Sequence, residues 1–105
     1  MPVQTPEISV ETFAAHREHA LTLDIREQAE YAAGHVPDAL LVPMSRLANR
    51  MGELDKTRPL HVICATGNRS SAMTDLLVAT GFDAVSVAGG TQAWISSGRT
   101  VEVGL

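Results

Sequence analysis

The sequence contains very little cysteine. Cys64 is the single cysteine among 105 residues, so an internal disulfide and a multi-cysteine metal site are both excluded. Chains without a disulfide framework are typical of reducing compartments, and the sequence therefore predicts a cytoplasmic location.

Long hydrophobic runs and a cationic surface are also missing. No uninterrupted apolar stretch approaches the roughly 18 residues that cross a bilayer, and residues 1–10 have neither the cationic start nor the apolar run of a secretory signal. Eight Lys and Arg residues stand against twelve Asp and Glu, which gives a formal net charge of −4. Because a nucleic-acid groove needs clustered cations, we expect neither a nucleic-acid nor a membrane partner.

Charged residues make up only 19% of the chain and hydrophobic residues 45%, proportions that exclude an intrinsically disordered protein. The length falls within the usual domain size of roughly 100–150 residues. We expect one domain over residues 1–105, with a modest hydrophobic core of its own.

Short apolar runs alternate with helix-like segments along the whole chain. The runs predict five strands, at residues 8–10, 20–25, 39–42, 60–64 and 84–88. Strands and helices that alternate with short connections form βαβ units, and near-continuous apolar strands are typical of a parallel sheet with helices on both faces. The pattern therefore predicts an α/β fold with a mostly parallel sheet.

Capping and terminating residues predict where the helices lie. Helices are expected over residues 27–33, from Ser45 to about 51, from Ser70 or Ser71 to about 80, and from Gly89-Gly90-Thr91 to 98. The serines would cap their helices with the side-chain hydroxyl. Gly34, Gly52 and Gly81 would end the helices before them, with Gly34 and Gly81 in the left-handed position that follows a helix.

Cys64 ends one of the predicted strands and begins a polar loop. The loop reads Cys64-Ala65-Thr66-Gly67-Asn68-Arg69-Ser70. Ligands of open parallel sheets bind at the carboxyl ends of the strands. The amino terminus of the next helix, the cation of Arg69 and a tight turn at Gly67 would each favour a thiolate. A lone cysteine at a strand end is otherwise a small buried hydrophobe, but packing alone does not explain the polar residues that follow it, so we favour a reactive cysteine.

Three ordered blocks of the sequence carry a resemblance to a known family. The blocks are Asp24-Ile25-Arg26 with Glu30-Tyr31-Ala32-Ala33-Gly34-His35-Val36-Pro37-Asp38-Ala39, the loop Cys64-x-x-Gly67-x-Arg69-Ser70, and Gly89-Gly90-Thr91-Gln92-Ala93-Trp94. Together they resemble the single-domain rhodaneses, which are thiosulfate sulfurtransferases. Asp38 stands where the family commonly has glycine, and Ile63 where it commonly has an aromatic residue. The resemblance implies a three-layer α/β/α fold around a central, mostly parallel sheet of about five strands.

The resemblance also implies a reaction. Cys64 would take the outer sulfur of thiosulfate, release sulfite and pass the sulfur, held as a persulfide, to cyanide in vitro or to a thiol in the cell, in two half-reactions. The loop residues that would bind substrate and persulfide are Ala65, Thr66, Gly67, Asn68 and Arg69, through backbone amides and, for Arg69, a side chain that orders the loop or meets the anion. The implied partners are a small anionic donor such as thiosulfate and a thiol or protein persulfide. No cofactor and no metal are expected.

Other functions of the same fold remain as alternatives. Phosphatases and arsenate reductases of this fold have the loop Cys-x5-Arg, whereas four residues separate Cys64 from Arg69 here, which favours a smaller, sulfur-sized cradle. A non-catalytic rhodanese-like interaction or regulatory module usually lacks the cysteine. A persulfide relay that takes sulfur from a desulfurase or another carrier protein would use the same residues and stays open.

Asp24, Arg26 and Ser70 are expected to support the site. Asp24 and Arg26 end a predicted strand on the same edge of the sheet as Cys64, and a structural ion pair with Glu30 or Arg69 is favoured over substrate contact.

The histidines and large aromatic residues are expected to have structural roles. His35 would stabilise its turn, while His61, Phe82 and Trp94 would pack in the interior. His16 and His19 share a predicted helix face without further ligands, which favours a solvated face over a metal site.

Overall fold

Five parallel strands form the centre of the computed structural model, which describes residues 4–105. The strands are β1 (Glu7–Ile8), β2 (Leu21–Asp24), β3 (Leu40–Leu41), β4 (Leu60–Ile63) and β5 (Ala84–Val87). Their order across the sheet is β1-β5-β4-β2-β3, and each neighbouring pair is parallel. The predicted parallel sheet of about five strands is confirmed.

Residues 4–105 also contain five α-helices, of which four connect successive strands and the last follows β5. The helices are α1 (Val10–His16), α2 (Gln28–Ala33), α3 (Met44–Arg50), α4 (Asn68–Ala79) and α5 (Gly90–Ser96), with 3₁₀ turns at Arg17–His19 and Met51–Glu53. None of the helices in this part of the chain is long and apolar enough to cross a membrane.

The two faces of the sheet carry separate buried clusters. Successive strand residues point to opposite faces. Val62 of β4 packs in a cluster with Leu77 of α4, whereas the next residue, Ile63, packs with Phe13 of α1 and Trp94 of α5. Helices therefore cover both faces, which makes the fold a three-layer α/β/α arrangement.

The first strand is shorter than the sequence pattern predicted. β1 ends at Ile8, and the Ser9 hydroxyl accepts a hydrogen bond from the Thr12 amide at 3.1 Å. This bond caps α1, so Val10, expected in the strand, is the first residue of the helix.

Two predicted helix caps are wrong. α3 begins directly after Pro43 without a side-chain cap, so Ser45 lies inside its first turn; the fixed φ of proline suits the start of a helix. α4 begins at Asn68, because Gly67 takes up the left-handed turn before it, with φ 106°. Ser70 therefore lies in the first turn of α4, and its hydroxyl is used elsewhere.

The glycines that follow helices behave differently from one another. Gly81 has φ 101°, as its predicted left-handed position requires. Gly34 has φ 165°, which is extended backbone, because the next residue, His35, exchanges two backbone hydrogen bonds of 2.9 Å with Glu102. Gly52 does not end its helix but lies within the 3₁₀ turn that continues it. The prediction that α2 ends at Gly34 is confirmed, but its left-handed conformation is wrong, and so is the prediction that Gly52 ends its helix.

Candidate active site

The topology places Cys64 at the middle of the carboxyl edge of the sheet. β4 lies between β2 and β5, and Cys64 follows its last residue with only 1% of its surface exposed. The chain then turns sharply at Gly67 to enter α4. A side chain would be strained at φ 106°, and a Cβ there would lie 3.4 Å from Gly89 N, so glycine suits this turn.

Three hydrogen-bonding groups surround the sulfur of Cys64. The amides of Gly67 and Ser70 donate to Sγ at 3.1 and 3.3 Å, and the Ser70 hydroxyl oxygen lies 3.5 Å from it. Burial raises the pKa of the Cys64 thiol, but the hydroxyl and amide of Ser70 and the amides of Gly67 and Thr66 together lower the pKa by more. The net pKa is below the ordinary thiol value, and the site therefore favours the thiolate.

The amino terminus of α4 points its positive end at this sulfur. The Ser70 amide belongs to the first turn, where amides have no partner within a helix, and its hydrogen bond to Sγ places the helix dipole against the thiolate. The sequence predicted this arrangement for the loop amides as a group. Within residues 4–105, those of Gly67 and Ser70 reach the sulfur itself.

Helix α5 holds the cysteine loop from the other side. The amides of Thr91 and Gln92 donate to Cys64 O and Ala65 O at 2.8 and 3.0 Å. Gly90, with φ 59°, lies so close that a Cβ would overlap Cys64 O and lie 2.7 Å from Ala65 O. The close approach of α5 to the loop therefore depends on glycine at this position.

Asp24 and Arg26 form a buried ion pair with each other. Arg26 donates to the Asp24 carboxylate from Nε at 3.0 Å and from Nη2 at 2.8 Å, and Nη2 also donates to Gly34 O at 2.8 Å. The predicted structural ion pair is present, but the predicted partners, Glu30 and Arg69, are wrong. The reason is local: Asp24 also accepts the Arg26 amide at 3.1 Å, so the chain folds back on itself at the end of β2.

Arg69 is held by Glu30 rather than by Asp24. Its Nη1 and Nη2 donate to the two Glu30 carboxylate oxygens, both at 2.8 Å, in the bidentate geometry that suits a guanidinium. The hydrogen bond from Arg69 lowers the pKa of Glu30 to about 2. Glu30 Oε1 also accepts the Glu27 amide at 3.1 Å, so one carboxylate caps α2 and anchors the cysteine loop.

Two residues of the site were not predicted from the sequence: Glu30, as the partner of Arg69, and Ser86. The Ser86 hydroxyl lies 2.8 Å from Ser70 Oγ, and Ser86 is fully buried. The one sequence feature that could have indicated a special role for Ser86 is its position as a polar residue within the apolar strand β5. The capping position of Glu30 at α2 was the indication for Glu30.

A cavity of about 240 Å³ opens beside the loop. It is lined by Arg26, Glu30, Ala33, Gly34, Ala65, Thr91, Gln92 and Ile95. A larger cavity of about 360 Å³ lies at the opposite edge of the sheet, against the amino end of β2 and Arg58. The smaller cavity is the one that reaches the chemistry, because Ala65 and Thr91 adjoin Cys64.

The remaining residues have the structural roles expected of them. His35 stacks on Tyr31 at 3.7 Å between ring centroids and contacts the Tyr31 carbonyl oxygen through Nδ1 at 2.8 Å. His61 is buried against Phe13. His16 and His19 are both exposed.

The chain is similar to known proteins both in sequence and in fold. The model of the rhodanese-like domain matches residues 9–97, a range that contains all three sequence blocks. A sulfurtransferase of Allochromatium vinosum is 39% identical over 88 residues, which are 83% of this chain and 82% of that protein. The crystal structure of a rhodanese-related protein from Thermoplasma volcanium has a TM-score of 0.90 at 32% identity and covers 93% of this chain and 98% of its own. A rhodanese-like domain protein from Staphylococcus aureus has a TM-score of 0.85 at 28% identity, over 96% of this chain and 100% of its own.

Proposed function

This chain belongs to the family of rhodanese-like domains, and on that premise we propose that it is a sulfurtransferase that carries sulfane sulfur as a persulfide on Cys64. The observation that carries the proposal is the set of polar groups around the sulfur: the amides of Gly67 and Ser70, which donate to it, and the Ser70 hydroxyl oxygen, which lies 3.5 Å from it. A structural cysteine does not need such a set. A nucleophile that alternates between thiolate and persulfide does, because both forms are anionic.

The proposed reaction has two half-reactions that return the enzyme to its starting form. The Cys64 thiolate attacks the outer sulfur of thiosulfate, a sulfur–sulfur bond forms, and the bond to the sulfonate sulfur breaks with its electron pair, which releases sulfite. The terminal persulfide sulfur is then attacked by cyanide or a thiolate, and the electron pair of the breaking bond returns to Cys64. Charge and atoms balance in each step without a redox partner, and ping-pong kinetics are expected.

The proposal assigns the other residues of the loop by their contacts. The backbone amides of residues 65–69 hold the terminal sulfur, as an oxyanion hole holds a developing charge. Arg69 orders the loop through Glu30, because both of its terminal nitrogens donate to that carboxylate. The ion pair of Asp24 and Arg26 supports the neighbouring end of β2 and does not meet the substrate.

A protein-bound or neutral persulfide is the second candidate donor, in place of thiosulfate. The observation that favours it is electrostatic: Arg26 and Arg69, the arginines beside the loop, are both paired with carboxylates. The formal net charge of −4 adds long-range repulsion for a dianion. We therefore propose that thiosulfate reacts, but less efficiently than a thiol persulfide.

Two assays test the proposal. After treatment with thiosulfate, intact mass spectrometry should show one added sulfur atom on the protein and none on the Cys64→Ser variant. With thiosulfate and cyanide, the parent should form thiocyanate, and Cys64→Ser should not. Activity that persists in Cys64→Ser would refute the proposal, and vigorous hydrolysis of a phosphate ester by the parent would favour the phosphatase alternative.

A further inference from the structure

A pair of hydroxyl groups lies beneath the sulfur of Cys64. Ser86 of β5 is fully buried, and its Oγ lies 2.8 Å from Ser70 Oγ. Its backbone is held on both sides, since its amide donates to Pro6 O at 2.9 Å and its register pairs it with Val62 of β4. The position of the Ser86 hydroxyl is therefore set by the sheet.

The number of hydrogens decides which serine donates to the other. Each hydroxyl has one hydrogen. Within residues 4–105, Ser70 Oγ is the single hydrogen-bond partner of Ser86 Oγ. If Ser70 donated to Ser86, the Ser86 hydrogen would be buried without an acceptor, which is a costly arrangement. Ser86 is therefore the donor and Ser70 the acceptor.

The hydrogen of Ser70 then has two remaining acceptors. They are Gly67 O at 3.2 Å and Cys64 Sγ at 3.5 Å. Gly67 O already accepts the Ser71 amide at 3.1 Å, so it stays satisfied when the Ser70 hydrogen turns away from it. An anionic sulfur is the stronger acceptor of the two.

We propose that Ser86 is a positioning residue, whose hydroxyl donates to Ser70 Oγ, polarises the Ser70 hydroxyl and thereby strengthens the hydrogen bond from Ser70 to the sulfur of Cys64 when that sulfur is anionic. Ser86 does not touch the sulfur itself. No proton passes along the pair: the thiol proton leaves to solvent on ionisation, and each serine keeps its own hydrogen. The inference rests on the proposed use of Cys64 as a nucleophile.

The charged groups around Cys64 are the same with and without the Ser86 hydroxyl. Arg69 of α4 is paired with Glu30 of α2, and Arg26 with Asp24 at the end of β2. Neither ion pair has a hydrogen bond with either serine. A change in the ionisation of Cys64 on removal of the Ser86 oxygen therefore reports the hydroxyl pair.

The test is a pH titration of the thiolate absorbance of Cys64, the single cysteine of the chain. A Cys64→Ser titration is subtracted as background. In Ser86→Ala the Ser70 hydroxyl keeps its hydrogen and its two acceptors but loses the partner that polarises it, so the midpoint should move to higher pH. The thiolate fraction below the midpoint should fall about 1.5-fold to threefold, the range that a cooperative strengthening of roughly 10–30% in one hydrogen bond supplies. Thr74→Val removes another fully buried hydroxyl, one without a hydrogen-bond partner, and should titrate like the parent. An unchanged midpoint in Ser86→Ala, or an equal shift in Thr74→Val, would overturn the proposal.

A double-mutant cycle distinguishes action through Ser70 from general loosening. Ser70→Ala should raise the midpoint, and adding Ser86→Ala to it should change nothing more, whereas additive shifts would contradict the proposal. If Ser86→Ala does not fold, Ser70→Ala alone carries the test, and an unchanged midpoint there refutes it. The titration reads the thiol and not sulfur transfer, so a shift in a protein without transfer activity would reject the proposed function and leave this inference standing.

Discussion

Replacing Gly90 with alanine should displace the cysteine loop and destabilise the fold. An alanine Cβ at Gly90 would overlap Cys64 O and lie 2.7 Å from Ala65 O. Both atoms are backbone, so relief requires α5 or the loop to move, which weakens the hydrogen bonds from Thr91 and Gln92. Left-handed strain, overpacking and two weakened hydrogen bonds together amount to a loss of about 3–5 kcal/mol in the free energy of unfolding.

Gly98→Ala is the matched control for Gly90→Ala. Gly98 has φ 86°, and nothing lies within 4 Å of a Cβ built there. The control therefore contains the left-handed strain without the contact, and it should lose only about 1–2 kcal/mol. The difference between the two variants isolates the close approach of α5 to Cys64.

Urea unfolding of both variants measures this difference, with midpoints and slopes compared to the parent. Sulfur transfer should fall at least about tenfold in Gly90→Ala, because a displaced loop weakens the hydrogen bonds from the amides of Gly67 and Ser70 to Sγ, and a loss of roughly 1.4 kcal/mol is a factor of ten in rate. In Gly98→Ala the rate should stay near that of the parent. If the free energies of unfolding of the two variants differ by less than about 0.5 kcal/mol, the usual spread for surface substitutions, the contact of a Cβ at position 90 with the loop carbonyls does not destabilise the protein as expected.

Four further predictions concern charge. Arg69→Ala should slow sulfur transfer while costing only about 0–1 kcal/mol of stability, because the ion pair of Arg69 with Glu30 is partly exposed. Equal activity of the variant and the parent would contradict the role of this ion pair in ordering the loop. The pKa of Glu30 is lowered from 4.5 to about 2, so the stability that its ion pair with Arg69 contributes is complete above about pH 4.5 and is lost as the pH falls towards 2. The urea midpoint of Glu30→Gln should not show that loss at acid pH. Burial, and to a smaller extent His16, lowers the pKa of His61 against the opposing effect of Asp83. The unfolded chain therefore binds more protons, and stability should fall as the pH drops below about 6.5. His61→Phe should reduce this loss of stability, whereas His19→Gln, at an exposed position, should not. Thiosulfate turnover should show a high KM and little dependence on salt, because screening weakens both the long-range repulsion and the short-range capture; a steep loss of activity with salt, or a low micromolar KM, would contradict this.

The location of the site could be predicted from the sequence because it depends on local patterns. Apolar runs of strand length and polar residues directly after Cys64 are enough to place the cysteine at the carboxyl edge of a parallel sheet. The turn at Gly67 also follows from a short motif, since few residues other than glycine adopt a left-handed backbone, whereas the close approach of Gly90 to the loop is visible only in the structure.

The contacts between distant segments could not be predicted in the same way. The choice of Glu30 by Arg69 depends on distances that only the packed fold sets, because the two residues lie 39 positions apart in the chain. The pair of Asp24 with Arg26 is different, because it is local and was missed although the residues are two positions apart. Ser86 was missed because a serine in a strand has no distinguishing local pattern, and its role depends on Ser70 in a different element. The two wrong caps have a similar cause. Pro43 precedes α3 and Gly67 precedes α4, and each helix begins directly after that residue, before the serine that was expected to cap it.

The hydrogen bonds from α5 to the carbonyls of the cysteine loop have a consequence for the growing polypeptide. Synthesis proceeds from the amino terminus, so Cys64 emerges from the ribosome before Ser86, Thr91 and Gln92 have been added. Until those residues dock, the loop carbonyls lack their amide partners and the sulfur lacks its finished set of donors. The nascent chain therefore has an ordinary, mostly protonated thiol at neutral pH. The lowered pKa of Cys64 is therefore a property of the completed fold, which the cysteine acquires only after β5 and α5 have docked.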